Sequence, residues 1–524
     1  MDRMNVFHRI FFLLFFLFAR SDASNQSLYK VDIDTKQYVY HTDEKFLSIA
    51  LGSSLIRDRW KHFDFGSEKL HNLAKGLAPA YLRIGGTYED FLLFNPHEDH
   101  HNDLTRTENT DAFKTSCDQQ THSSSHEQQR VDPLTNFTMT RDDVNKLFKF
   151  VNETGLNIIF GLNLLLRDSN TRHWNYTNAK QLMEYIHALG FSCSWELGNE
   201  PFDLHGLINW TITGEELAFD FKILRKLLNE HPEYGQMIVG PDVSSPWKPP
   251  LRDRFLKDFL TNVDGSIDGM TYHQYYVNNQ AEVSKFYDPK ILDDLITEIQ
   301  QVESIMKESG ASSIDSWLGE TSSAYGGGVP GVSNSFIAGF MWLDKLGVAA
   351  RLKQSVVIRQ TFYSGSYSLI NSKNLDPFPD YWSAFLYKTL VGSRVLDVHN
   401  SISFGRTIRV YAHCMSERSS YNPGSLVLIA LNTQHEDVQL VLTNGLEKLT
   451  VDQYLLTPGE KGNLISQTVR LNGKVLQMVD DTFLPNVEPI SILPPDKISL
   501  PPVSYGFFVI PDARVEACQS DMLS

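Results

Sequence analysis

Two acidic segments stand apart in the sequence, Ser194-Trp-Glu-Leu-Gly-Asn-Glu-Pro201 and Asp315-Ser-Trp-Leu-Gly-Glu-Thr-Ser-Ser-Ala-Tyr-Gly-Gly-Gly328. In each, a short apolar run breaks into polar residues around a glutamate, Glu200 in the first and Glu320 in the second. Either glutamate alone reads most simply as a surface acid beside a helix cap. Together they suit hydrolysis of a glycosidic bond, which needs one carboxyl protonated for the leaving oxygen and one ionised to attack the anomeric carbon. Standing roughly 5–5.5 Å apart, such a pair works through a covalent glycosyl-enzyme with retention, and water then resolves it with the first carboxyl as base. Asn199, beside Glu200, is placed to bond the sugar 2-hydroxyl as the oxocarbenium ion develops. This chemistry needs no metal and no organic cofactor. An acidic optimum is expected, because Glu200 must carry a proton and His205 and His273 gain charge below pH ~6.5.

The elements that would position these groups alternate along the chain. Strand-like runs fall at Phe46–Leu51, Tyr81–Ile84, Asn157–Leu162, Ser194–Leu197, Met237–Val239, Gly269–Tyr272, Ser316–Leu318 and Ser355–Ile358. Amphipathic stretches such as Arg141–Asn152, Asn178–Leu189, Gly214–Asn229 and Pro289–Ser309 lie between them. This order predicts an α/β fold, a (β/α)₈ TIM barrel over 45–397, whose reacting groups gather at the C-terminal ends of the strands. An open doubly wound sheet alternates in the same way, but no GxGxxG opens the first unit. Glu200 and Glu320 then sit at the ends of the fourth and seventh strands. Residues 97–132 are rich in His, Asp, Asn, Gln, Thr and Ser and read as a flexible insertion; His97, His100 and His101 lack an ordered metal-ligand spacing.

From 398 to 524 the pattern becomes short strands with turn signals: Thr407–His413, Ser425–Leu431, Val438–Leu442, Thr450–Leu456, Val469–Leu471 and Val503–Ile510. This predicts a second domain, a β-sandwich. The segment 24–44 contains a strand-like stretch, Lys30–Tyr40, that could complete it from the other end of the chain.

Composition narrows the class. Of 524 residues 42% are hydrophobic and 12% aromatic, enough for a large core and against disorder. With 63 acidic against 47 basic side chains the net charge is −16, which argues against a nucleic-acid partner and against broad attraction to any polyanion. Residues 1–23 read as a signal peptide: a basic start, an apolar run from Ile10 to Ala19, and small residues Ser21 and Ala23. That run is too short to span a membrane, which takes roughly 20 residues. Sequons at Asn25, Asn136, Asn152, Asn175 and Asn209 suit a glycosylated chain that is secreted to the extracellular matrix or held in the lysosome. Among four cysteines, Cys414 and Cys518 share the C-terminal segment and are the expected disulfide; Cys193 reads as a buried thiol, with its pairing to Cys117 open.

Longer segments resemble heparanase and its relatives, glycoside hydrolases with acid/base and nucleophile on barrel strands four and seven. The resemblance is carried by Gly76-Leu-Ala-Pro-Ala-Tyr-Leu-Arg-Ile-Gly-Gly-Thr87, Phe160-Gly-Leu-Asn163, Trp195–Pro201, Gly240-Pro-Asp-Val243, Trp317–Gly328, Gly339–Gly347 and Pro379-Asp-Tyr-Trp382. It continues through Leu471-Asn-Gly473, Met478-Val-Asp-Asp481 and Phe507-Phe-Val-Ile510. It implies endo-β-glucuronidase activity on a glycosaminoglycan, heparan sulfate first, with Glu200 as acid/base and Glu320 as nucleophile. It also implies that Tyr275 touches the nucleophile, that His273 lies near the subsite, and that Tyr325, Gly326 and Gly327 receive the uronic carboxylate. Thr87, Gln360 and Tyr367 are implied as further sugar contacts. An inactive branch of the family has lost the nucleophile segment, which this chain keeps.

The departures from the family pattern concern substrate. The basic clusters of the heparan sulfate cleaver are replaced by Asn136-Phe-Thr-Met-Thr-Arg141, by Ser244-Ser-Pro-Trp-Lys-Pro-Pro-Leu-Arg252 and by Phe202-Asp-Leu-His-Gly206. Hyaluronan cleavage or exo action is therefore an alternative, and a silent glycosaminoglycan-binding protein is a third. The chain is expected to be monomeric, single or nicked within 97–132, because the family's excised linker falls there while its partner cysteine position is Asn152.

Overall fold

The computed structural model describes residues 27–97, 134–247 and 250–519. The signal peptide, Asn25, His100, His101, Cys117 and almost all of the 97–132 insertion lie outside the described residues. Eight parallel strands form the barrel: Leu47–Gly52, Tyr81–Gly85, Asn157–Leu162, Ser194–Leu197, Val239–Ser244, Gly269–Asn278, Asp315–Tyr325 and Val356–Arg359. The eighth pairs with the first, Val357 opposite Leu47. Between the fourth and fifth the barrel closes through a single bridge, Trp195 to Ile238, with the Trp195 N–H donating to Met237 O at 3.0 Å. Helices cover the outside, and capping boxes at Thr140/Asp143 and Thr213/Glu216 start two of them.

Three strands depart from the sequence reading. The fifth begins where Met237–Val239 was expected to stop, because Gly240-Pro-Asp has little strand propensity and reads as a turn. The sixth and seventh run on past Tyr272 and Leu318, to Asn278 and Tyr325. They stay paired as far as Asn278 opposite Tyr325, with a register shift at Tyr272/His273. Their outer halves are polar, so apolar runs end before the strands do.

The second unit is antiparallel but for the parallel pairing of Ser27–Val31 with Val438–Leu442. Its large sheet follows the order Lys474–Val475, Val469–Leu471, Val451–Pro458, Ser504–Ile510, Leu426–Asn432, Ile408–Met415, Val391–Val398 and Ile33–His41. The strand Val391–Val398, read in the sequence as the end of the barrel, belongs to this sheet; it starts at the residue after helix Pro379–Leu390 ends, with no connecting residue between them. A smaller sheet of Ser27–Val31, Val438–Leu442 and Ile498–Leu500 covers one face. Alternation along the central strands divides their side chains between two cores. Val410, Leu428 and Phe508 pack toward the small sheet with Val31 and Leu440, whereas Tyr411, Val427, Ile429, Tyr505 and Phe507 join the barrel's core. Helix Ala338–Arg351 is therefore buried nearly all round, and Gly339 lets the Tyr505 ring reach its backbone. Across this junction Arg409 donates to Asp344 through Nε and to Asp293 Oδ1 at 2.7 Å, and Tyr411 Oη donates to Asp344 at 2.6 Å. Cys414 and Cys518 form a disulfide, and Cys193 is a buried free thiol. No described helix is long and apolar enough to cross a membrane.

Candidate active site

Arg83 is the one cation in the apolar second strand Tyr81–Gly85, and its side chain is fully buried inside the barrel. A buried guanidinium requires carboxylates. It donates from Nε to Glu196 Oε2 at 2.7 Å and from Nη1 to Glu320 Oε2 at 2.8 Å. Nη2 donates to Asn199 Oδ1 at 3.1 Å and Asp242 Oδ2 at 3.2 Å, and Glu89 lies 3.8 Å away. One cation cannot balance four buried carboxyls, and they divide. Burial pushes Glu196 and Glu89 well above the usual carboxylate range, against the opposing pull of Arg83. Asp242 is also buried, but Arg83 and His273 hold its carboxyl below the usual range.

Glu320 is the deeper of the two expected reacting groups, 8% exposed. Burial alone would raise its carboxyl; the charges of His273 and Arg83 and the hydroxyl of Tyr275 outweigh that and keep it low. Tyr275 Oη donates to Glu320 Oε1 at 2.6 Å, so both oxygens of this carboxylate are held. Glu200 is more open, its side chain 30% exposed. Its backbone has φ 48°, a left-handed conformation costly for a residue with a side chain, held by an N–H bond to Asp242 O at 3.0 Å.

Strands five and six link the two glutamates. His273 places Nδ1 at 2.9 Å from Glu200 Oε1 and Nε2 at 3.2 Å from Asp242 Oδ1. Burial would favour neutral imidazole, but Glu320, Asp242 and Glu200 raise it well above its ordinary value. This corrects the direction of one expectation: its acidic neighbours shift His273 upward, so it does not gain its charge only below pH ~6.5.

The remaining expected residues gather round the same mouth. Asn199 is buried, its Oδ1 taken by Arg83 and its N–H donated to Asp90 Oδ2 at 3.0 Å, which leaves the side-chain NH₂ to donate. Tyr367 stacks on Tyr275 with ring centroids 6.4 Å apart. Gln360 follows the eighth strand with its side-chain oxygen buried and unpartnered. Tyr325 ends the seventh strand half exposed, and Gly326 and Gly327 follow with φ 75° and 89°, a turn closed to side chains without strain. Thr87 is half-buried just beyond the second strand. His205 is exposed on the short helix Leu204–Ile208 that follows the Glu200 turn. Of the sequons, Asn136, Asn152 and Asn209 are exposed and Asn175 is half-buried.

Sequence reasoning missed Arg83, Glu196 and Asp242. The available signal was a charge inside each of three otherwise buried strands, which demands an internal partner.

The comparisons accord with this geometry. Residues 60–347 match the model of glycosyl hydrolase family 79, N-terminal domain. The heparanase of Gallus gallus is 39% identical over 495 residues, covering 90% of this chain and 93% of the relative. The chain belongs to the heparanase family. Within glycosyl hydrolase family 79 it is also similar to a hyaluronoglucuronidase from Hirudo nipponia, 34% identical over 93% of this chain and 99% of that one. A solved 4-O-α-L-rhamnosyl-β-D-glucuronidase from Fusarium oxysporum 12S shares the fold, with TM-score 0.66 at 14% identity over 92% of this chain and 100% of the other. This member of family 79 is a glycoside hydrolase with a TIM barrel and an additional antiparallel β domain.

Proposed function

We propose that the protein is a retaining endo-β-glucuronidase that cleaves glucuronic-acid linkages in glycosaminoglycan chains, with heparan sulfate the first substrate to test. The observation that carries this reading is the unequal setting of the two glutamates. Glu320 is buried, ionised and fixed at both oxygens by Arg83 and Tyr275, as a nucleophile must be. Glu200 is more open and faces the mouth, as a group that exchanges protons with leaving group and water must. In the first step Glu200 gives its proton to the glycosidic oxygen while Glu320 attacks the anomeric carbon. In the second, Glu200 takes a proton from water, which displaces Glu320 and restores both groups. His273 keeps Glu200 oriented, and the Asn199 NH₂ meets the 2-hydroxyl. Tyr325, Gly326 and Gly327 receive the uronic carboxylate, with Thr87, Gln360 and Tyr367 as further sugar contacts.

The signal peptide, the sequons and the Cys414–Cys518 disulfide support a glycosylated chain of an oxidising compartment, secreted or lysosomal. Hyaluronan is the second reading, favoured by the hyaluronoglucuronidase from Hirudo nipponia among the similar proteins. Incubation of the protein and of Glu320→Gln with heparan sulfate and with hyaluronan, products sized on a gel, tests the proposal. Ladders of oligosaccharides from the parent and none from the variant are expected. Release of monosaccharide alone would replace endo by exo action, and heparin retention without new reducing ends would leave only a binding protein.

A further inference from the structure

The charge around the barrel mouth has an order that net charge alone does not reveal. Arg252, on the helix after the fifth strand, donates from Nη2 to Asp203 Oδ1, and the Ser244 hydroxyl donates to Asp203 Oδ2. Asp203 belongs to the Glu200 turn, its N–H bonded to Glu200 O at 2.8 Å. Ser244 ends the fifth strand in register with His273, whose ring holds Glu200. The Arg252 and Asp203 side chains are each 25% exposed, so the pair meets solvent beside the expected acid/base.

The same commitment recurs at the ends of other barrel strands. Arg57, after the first, donates to Asp58 Oδ1 at 2.9 Å and lies 4.1 Å from the Tyr88 ring centre. Arg167, after the third, pairs with Asp220 and lies 5.0 Å from that of Trp210. Arg359, ending the eighth, donates to Asp380 Oδ2 at 2.8 Å. A sulfate ester is held by cations with N–H groups to spare, and a guanidinium neutralised at contact offers little of that attraction. A carboxylate in the same pair adds repulsion.

We infer that Asp203 is a specificity-determining residue: by masking Arg252 it turns the site beside Glu200 against sulfated sugars, so that unsulfated or weakly sulfated glucuronate chains are preferred. This deepens the glucuronidase reading and rests on it. The test compares kcat/KM on hyaluronan, on heparan sulfate of low sulfation and on heparin, for the parent, for Asp203→Asn and for Asp203→Asn with Arg252→Gln. The parent should favour the unsulfated and low-sulfate polymers over heparin by at least tenfold. Asp203→Asn should raise the heparin rate relative to hyaluronan by about ten- to a hundredfold, the worth of one released charge-assisted contact, and adding Arg252→Gln should cancel the gain. Should Asp203→Asn fail to fold, the parent's own ranking still decides. Preference of the parent for heparin, or a folded Asp203→Asn with an unmoved ratio, overturns the inference and leaves the glucuronidase reading intact. Cleavage of no polymer overturns both.

Discussion

The ring of His273 stands 2.9 Å from the carboxyl of Glu200, Nδ1 to Oε1, while its charge is also among the main influences on Glu320. One side chain thereby orients one glutamate and keeps the other ionised. His273→Gln removes the charge but keeps a donor toward Glu200. The sign follows from Glu320, which must be ionised to react and whose carboxyl His273 holds down. Without that charge the carboxyl rises, so the acid limb of kcat/KM should move to higher pH. Rates from about pH 4 to pH 8 check this; an unmoved limb would count against it.

Tyr275 Oη reaches Glu320 Oε1 at 2.6 Å. A hydrogen bond to a charged group is worth about 1.5–3 kcal/mol, so Tyr275→Phe should lower kcat by about ten- to a hundredfold. The stacked Tyr367 ring keeps its neighbour. Steady-state kinetics on one defined oligosaccharide would measure the loss, and a change in KM alone would contradict it.

Glu200→Gln removes the proton donor and leaves Glu320 in place. On a natural glycosidic bond, activity should fall by about 10²–10⁴-fold. An aryl glycoside with a nitrophenolate leaving group needs no such proton and should still form the glycosyl-enzyme, seen as a burst of nitrophenolate. Equal losses on both substrates would remove Glu200 from the role of acid.

Replacing Arg83 by Met would strand Glu196, Glu320, Asp242 and Glu89 without their shared cation. Breaking a buried ion pair from one side costs about 3–5 kcal/mol, so Arg83→Met should lower the urea midpoint sharply and reduce soluble yield. A variant with the parent's midpoint would show that the guanidinium orients the carboxyls without supporting the fold.

His413 links pH to stability in the second unit. It is fully buried, Nδ1 2.9 Å from Gly392 O and Nε2 unpartnered, and burial pushes it down to about 4. The unfolded chain takes up this proton near about 6.5, so between these values the unfolded state binds more protons and stability falls as pH falls. The loss is about 3 kcal/mol across the window. His413→Gln should show a smaller difference in Tm between about pH 7 and about pH 4 than the parent.

Much of this architecture was legible because alternation is a strong signal. Asn157–Leu162 and Ser194–Leu197 have the bounds read from the sequence, since each is mostly apolar and is followed at once by Asn163 or Gly198. The outer halves of Gly269–Asn278 and Asp315–Tyr325 were not legible, because their side chains are polar and serve the mouth. Among the candidate residues, Glu200 and Glu320 stand out by their surroundings. Arg83, Glu196 and Asp242 do not, because partnership among buried charges is a property of three strands brought together and no one segment displays it.

The two N-terminal strands serve different sheets from the barrel strands that follow them. Ser27–Val31 lies along Val438–Leu442 and Ile33–His41 along Val391–Val398, while Leu47–Gly52 and Tyr81–Gly85 complete the barrel. A protease cut between Phe94 and Phe137, where Leu92–Phe94 pairs with Phe137–Met139, would thus yield a small fragment woven into four separate sheets with the large one. The disulfide lies wholly on the large side of such a cut, so the fragment would be retained by strand pairing and buried apolar surface. It would also carry Arg83, so the two pieces could hydrolyse nothing apart and would behave as one enzyme in two chains.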